Sequence, residues 1–242
     1  MVVLRVLCYV NIEHANMMKD PMRRRARLIK LMEAKLRFEE LSGEPCLISH
    51  YLDVSAESIR EMRIGAILIS GNSTNWLEYD FEGFRGLFRL ITDSSIPIFG
   101  LCGGHQLIAM AYGAEVAAMR PLGPGEDDPL PHLAPGFYKE KGFLEVNVVK
   151  KDPLFRGLSD RITVNEAHHA EIKRLPKEFE LLASGDECDI QAMKHRRRII
   201  YGTQFHPENY DDRHLDGKII LQNFFRIAGV SPRSSSKDRN DS

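Results

Sequence analysis

Ile98-Phe99-Gly100-Leu101 is an apolar run that ends on Cys102 and continues as Gly103-Gly104-His105-Gln106. A nucleophile placed on a tight strand-to-helix turn needs small neighbours, because its own backbone is strained and larger flanking side chains collide. Cys102 then stands at a helix N-terminus, where the positive end of the dipole favours a thiolate. The second piece is Tyr201-Gly202-Thr203-Gln204-Phe205-His206-Pro207-Glu208. In extended chain alternate side chains share a face, so His206 and Glu208 are expected to project together. Glu208 can hold one ring nitrogen while the other faces the thiol. Nucleophile, base and orienter are the parts needed for acyl transfer. A single cysteine is more often an inert buried residue; the conjunction of the two segments is what points to catalysis.

Such parts need a scaffold, and the pattern supplies one. Val2 to Val10 is an unbroken β-rich run, as in a strand covered on both faces. Met22, Ala26, Ile29 and Leu36 recur at helical spacing between Pro21 and Ser42, and Gly43 can end that helix. Strands follow at Cys46 to Tyr51, Ala66 to Ser70 and Ile96 to Gly100, with helices at Ser55 to Met62, Phe81 to Thr92 and Gly103 to Tyr112. This repetition predicts right-handed crossovers and a parallel sheet, hence an α/β fold. Beyond Gly113 the chain is β-rich: Leu144 to Val148, Ile162 to Val164, Phe179 to Ala183, Ile190 to Met193 and Ile199 to Phe205 read as short strands before a closing helix at Gly217 to Ile227. One domain over 1–230 is expected, with a disordered tail at 231–242 that contains no large apolar residue. Five of the twelve prolines fall between Arg120 and Lys141, in a stretch too long and irregular for a simple connection, so a surface loop and a functional lid both remain open for it.

Lys and Arg number 33 against 34 Asp and Glu, a net charge of −1. That balance removes the bulk-charge argument for a nucleic-acid or membrane-surface binder. No run approaches the ~20 apolar residues of a membrane span. The N-terminal run reads as a first strand rather than a signal peptide, so Cys8, Cys46, Cys102 and Cys188 are expected as thiols in a reducing, cytoplasmic setting. His168-His169 suggests a metal only with a third ligand, and no cysteine or carboxylate pair sits at ligand spacing in the sequence, so no metal is expected. Arg23-Arg24-Arg25 and Lys194-His195-Arg196-Arg197-Arg198 read as solvated faces, the sharper alternative being contact with an anionic substrate or a partner subunit. Trp76 and Tyr79 could wall a pocket or fill the core.

The segments GLCGGHQ and QFHPE resemble the two signatures of class I glutamine amidotransferases, and the similarity runs from the first strand to about Gly229. The stretch Asn165 to Glu208 is closest in motif to the glutaminase domain of GMP synthetase. The resemblance implies a flavodoxin-like, mainly parallel sheet flanked by helices, no cofactor, and a Cys102–His206–Glu208 triad. It implies an oxyanion hole from the backbone N–H groups of Gly71 and Gly103, with Asn72, Gln106, His168 and His169 around the substrate. Three positions depart from the pattern: Asn72 where a second glycine is usual, His169 where glycine is usual and Ala170 where aspartate is usual. They border the place for the amino-acid end of glutamine. The implied activity is release of ammonia from glutamine for a separate synthetase partner, since no synthetase domain follows Gly229. A stand-alone hydrolase of another γ-glutamyl compound, or a non-catalytic metabolite-binding protein of the same fold, are the alternatives.

Overall fold

Asp20 and Gly43 bracket the longest helix. The Asp20 carboxylate accepts the Arg23 N–H at 2.8 Å, Pro21 takes the first helical position, and Gly43 closes the helix in the left-handed region at φ 71°. The computed structural model describes residues 5–128, 131 and 134–230. Its elements run β1 (Val6–Asn11), α1 (Ala15–Lys19), α2 (Pro21–Ser42), β2 (Cys46–His50), α3 (Ala56–Glu61), β3 (Ile64–Ile69), α4 (Arg85–Asp93), β4 (Ile98–Leu101) and α5 (Gly103–Ala111). The second half continues with β5 (Val116–Ala118), β6 (Glu140–Val148), β7 (Arg161–His168), β8 (Ala170–Ile172), β9 (Phe179–Ser184), β10 (Ala192–His195), β11 (Ile200–Thr203) and α6 (Asp216–Ile227). The tail expected at 231–242, and residues 129, 130, 132 and 133 of the proline-rich stretch, lie outside the described residues.

Nine strands form one sheet in the order β2-β1-β3-β4-β11-β10-β9-β6-β7. The pairs from β2 across to β11 are parallel, and those from β11 to β7 are antiparallel. The expected mixed, mainly parallel sheet with a β-rich second half is therefore the architecture observed. Because side chains alternate along a strand, Leu7 and Tyr9 of β1 face a core with Phe38 of α2 and Phe224 and Phe225 of α6, whereas Cys8 and Val10 face a second core with Phe84, Leu87 and Leu107. Burial on both faces explains why the central strands read as continuous apolar runs. No helix among the described residues is long and apolar enough to cross a membrane.

Three elements differ from expectation. The helix predicted from Phe81 opens as a 3-10 turn over Phe81–Phe84 before α4 begins. α1 is a five-residue helix with no buried residue, so it has no apolar stripe to betray it. β7 runs well beyond the apolar Ile162 to Val164 core, pairing with β6 from Asn147↔Arg161 to Glu140↔His168. Its inward positions there are Glu166 and His168, which interrupt the apolar alternation although both are buried.

Candidate active site

In open α/β sheets, sites form beyond the carboxyl ends of the parallel strands. β3 ends into Ser70-Gly71, β4 into Cys102 and β11 into Gln204. Cys102 sits between β4 and α5 with φ 51° and ψ −106°, a left-handed backbone that a non-glycine residue adopts at a cost. The turn is this sharp because glycines let the backbones meet. A Cβ on Gly104 would lie 2.3 Å from the Ile69 carbonyl oxygen, and one on Gly100 2.5 Å from the Gly104 carbonyl. Gly104→Ala is therefore expected to lower stability by about 1–3 kcal/mol. Chemical denaturation would show it, and an unchanged midpoint would mean that the elbow yields more readily than the contacts suggest.

His206 Nδ1 lies 2.7 Å from Glu208 Oε1, and the opposite side of the ring meets the Cys102 thiol. Strand alternation is not what joins His206 to Glu208. β11 ends at Thr203, and Pro207–Asn209 is a 3-10 turn that curls the carboxylate back onto the ring. That turn is tied down by Arg37 of α2, whose guanidinium donates to the Glu208 carbonyl and, at 2.9 Å, to the Tyr210 carbonyl. Burial works against protonation of His206, but the Glu208 and Cys102 charges outweigh it and hold the imidazole well above its usual range. The other thiols are of a different kind. Burial pushes Cys8 and Cys46 up to about 12 and raises Cys188 further, which leaves them inert.

Gly71 packs under both reacting side chains: a Cβ there would stand 2.9 Å from His206 Cε1 and 3.3 Å from Cys102 Cβ. The Asn72 side chain folds over Gly103, with its Oδ1 only 1.9 Å from where a Gly103 Cβ would be, and its Nδ2 donates to the Thr74 carbonyl at 2.7 Å. Two charged residues that the sequence did not single out hold this loop. Glu13, fully buried just past β1, accepts from the backbone and hydroxyls of Ser73 and Thr74 at 2.7–3.2 Å. Burial raises its carboxyl, but Arg27 and these donors outweigh burial and set it below the usual range. Arg27 of α2 donates to the Gly71 carbonyl at 2.8 Å, to Ser70 Oγ at 2.8 Å and to Asn11 Oδ1 at 2.7 Å. The available signal was position, since Glu13 follows a strand at the sheet's carboxyl edge.

Gln106 is beside the nucleophile, yet its amide is committed to the protein. Trp76 Nε1 donates to its Oε1 at 2.7 Å, and its Nε2 donates to the Ala170 carbonyl at 2.7 Å and to Gln204 Oε1 at 3.0 Å. Gln204 Nε2 in turn reaches Cys102 Sγ at 3.6 Å. Trp76 thus both walls the pocket and anchors a relay to the thiol, while Tyr79 is core, its hydroxyl donating to the Ile12 carbonyl. Asn72, Trp76, Cys102, Gln106, His169 and Ala170 line a cavity of only about 30 Å³, room for one or two waters. Thr74 and His169 also border a wider outer cavity of about 700 Å³ with His14, Arg23 and Glu78.

His168 is drawn inward rather than toward that outer cavity. Its Nε2 lies 2.7 Å from Glu140 Oε2 and 3.2 Å from Glu166 Oε2, and its Nδ1 lies 3.1 Å from the Ala170 carbonyl. Cys188 joins this cluster: ligand atoms of Glu140, His168 and Cys188 lie within 4.8 Å of one another. The fold therefore assembles a metal-compatible trio that sequence spacing did not show, from residues as far apart as 140 and 188. An imidazolium between carboxylates already balances the charge. Burial disfavours the charged ring, but Glu140 and Glu166 overcome it and hold His168 up to about 10. An unfolded histidine titrates near 6.5, so this stabilisation is complete below that pH and is lost as pH rises toward 10. His168→Gln is expected to cost about 3–5 kcal/mol at neutral pH, as breaking a buried pair does. It should also flatten the alkaline fall in melting temperature, whereas a variant with the wild-type alkaline slope would place the titration elsewhere.

The basic run after β10 is mostly paired: Lys194 with Asp152 at 2.8 Å and Arg196 with Glu180 at 2.9 Å. Arg198 donates to the Thr92 and Ser94 carbonyls.

With this fold and geometry, residues 46–228 match the family described as Glutamine amidotransferase class-I, so the chain belongs to the class I glutamine amidotransferases. A cysteine, a histidine and a glutamate lie together in it as that enzyme class requires. It is similar to the glutamine-hydrolysing subunit of GMP synthase from Pyrococcus furiosus, 40% identical over 173 residues, which cover 72% of this chain and 80% of the relative. The corresponding subunit of Methanothermobacter thermautotrophicus is 38% identical over 132 residues, 54% of this chain and 61% of that protein's length. Among solved structures, a GMP synthase subunit from Thermoplasma acidophilum superposes with a TM-score of 0.68 at 26% identity, covering 95% of this chain and 96% of the other.

Proposed function

We propose that the chain hydrolyses the side-chain amide of glutamine through a γ-glutamyl thioester on Cys102 and supplies the ammonia to a separate GMP-forming synthetase subunit. The Cys102 thiolate attacks the amide carbon, and the oxyanion is held by the N–H groups of Gly71 and Gly103. His206, oriented by Glu208, gives its proton to the departing ammonia, then takes one from the water that cleaves the thioester. The products are glutamate and ammonia, and the thiolate–imidazolium pair is restored. The observation that carries this reading is the 2.7 Å bond between His206 and Glu208 on a ring whose other side meets Cys102. Its support as a glutaminase of a synthetase comes from the glutamine-hydrolysing proteins it resembles.

A second reading, hydrolysis of another γ-glutamyl compound by the chain alone, draws support from His169 and Ala170 at the pocket and from the wide outer cavity that could take a larger amine side. Free glutamine brings an ammonium and a carboxylate, and one missing charge-assisted hydrogen bond costs about 1.5–3 kcal/mol. Glutamine is therefore expected to be a poor substrate for the isolated chain and a good one with the synthetase partner present. Ammonia release from glutamine and from a panel of γ-glutamyl amides, with and without that partner, tests both readings. Efficient use of another γ-glutamyl amide by the chain alone would favour the second, and fast turnover of free glutamine by the chain alone would show that His169 and Ala170 do not limit it.

A further inference from the structure

The N-terminal half of α2 projects from the body: of residues 21–30 only Arg27 is not exposed. Met22, Leu28, Ile29 and Met32 are 48–75% exposed, and Pro21, Arg24, Arg25, Leu28, Ile29 and Met32 border an open hollow of about 610 Å³. The early turns carry Arg23, Arg24 and Arg25, and the first turn contains no acidic residue. Cations there oppose the helix dipole, and among the described residues neither Arg24 nor Arg25 has a side-chain hydrogen bond or ion pair. This arrangement lowers the helix's own stability, and a local conflict of that kind marks a functional surface.

The same helix reaches the reacting groups from behind. Arg23 borders the outer cavity, Arg27 holds the Gly71 carbonyl, and Arg37 holds the turn carrying Glu208. The cavity at Cys102 is too small for a glutamine side chain, so the loop after Gly71 must shift for substrate to enter. We propose that the exposed half of α2 is the docking surface for a synthetase subunit presenting apolar side chains ringed by carboxylates, and that Arg27 transmits its arrival to the Gly71 loop. This rests on the ammonia-supply reading above. Charge selects the occupant, since a second copy would bring arginines toward arginines, whereas an acidic partner neutralises them. Position agrees, because ammonia leaving Cys102 must pass to an acceptor without escaping to bulk water, and this face adjoins the mouth.

The test uses the full chain and the separately purified GMP-forming synthetase subunit of the same organism. Arg24→Glu/Arg25→Glu and, separately, Ile29→Asp should weaken the complex by about tenfold or more, the charge reversal most at low salt. Labelling of Cys102 by a glutamine-like diazoketone should be unchanged in these variants. Arg27→Gln should bind the synthetase normally but lose most of the partner's stimulation of glutamine hydrolysis, in kcat rather than KM, with partial return in Arg27→Lys. If Arg27→Gln does not fold, Arg27→Lys alone should show weakened stimulation at normal affinity. A dissociation constant within about twofold of wild type in the surface variants, or full stimulation of the folded Arg27 variants, would overturn the proposal. So would a self-dimer that the charge reversal dissolves, which would assign the face to a second copy. If the wild-type proteins form no complex at any salt while Cys102 is still labelled, the supply reading itself fails and this inference with it.

Discussion

Cys102→Ala is expected to remove amide hydrolysis almost entirely, by on the order of 10⁶-fold in kcat, the loss seen when the nucleophile of a comparable triad is deleted. The loss is chemical rather than structural. Alanine at 102 meets the same left-handed backbone as cysteine and fills slightly less space, so the strain at φ 51° is carried over and no clash is added. The thiol's one amide partner, Gln204 at 3.6 Å, keeps its Oε1 bond from Gln106. Thermal stability should therefore remain close to wild type, within about 1 kcal/mol. Ammonia release by purified Cys102→Ala, with intact mass after exposure to a glutamine-like electrophile, gives the result directly. Retained turnover, or labelling elsewhere on the chain, would end the thioester mechanism, and the burial of Cys8, Cys46 and Cys188 makes labelling there unexpected.

Most of the scaffold was legible because its signals are local. Pro21 and Gly43 delimit α2 where the spacing of its apolar residues placed it, and the doubly covered strands announce themselves as unbroken apolar runs. The nucleophile elbow was legible for the same reason, since Gly100, Gly103 and Gly104 are required within a few residues of Cys102. What remained hidden depends on long-range pairing of polar groups. Glu140, Glu166 and His168 neutralise one another in the interior, and nothing in a run of single residues shows that a glutamate and a histidine 28 positions apart will meet at 2.7 Å. Arg27 and Glu13 were missed likewise: one lies on a helix face that otherwise reads as solvated, and their partners are loop atoms more than forty residues away. The His206–Glu208 pair was found for a reason that did not hold, because Pro207 ends the extended chain and a turn makes the contact assigned to strand alternation. The sequence-based metal reading erred in the same direction, by treating spacing along the chain as spacing in the fold.

Removing the base should cost less than removing the nucleophile, and the pH profile should separate its two roles. His206→Ala is expected to lower kcat by ~10²–10⁴-fold, the usual worth of a positioned acid–base group. Glu208→Gln keeps shape and volume but removes the charge that contributes most to raising His206, so the drop should be up to ~10⁴-fold, the size seen when a triad carboxylate becomes an amide. The signs of the pH effect follow from geometry. His206 must be protonated to expel ammonia, so activity falls on the alkaline side as the imidazolium loses its proton. With Glu208 in place that limb lies well above the ordinary histidine range. In Glu208→Gln the neutral amide leaves burial less opposed, and the limb should move to lower pH. Arg37 binds the Glu208 backbone rather than its carboxylate, so the turn should keep its shape in this variant, and a rate loss with normal stability is the expected pairing. Measuring kcat/KM from acid to alkaline pH for wild type and Glu208→Gln decides the matter. A uniform loss of rate with an unmoved alkaline limb would mean that Glu208 only holds the turn, and an unchanged rate would remove it from the chemistry altogether.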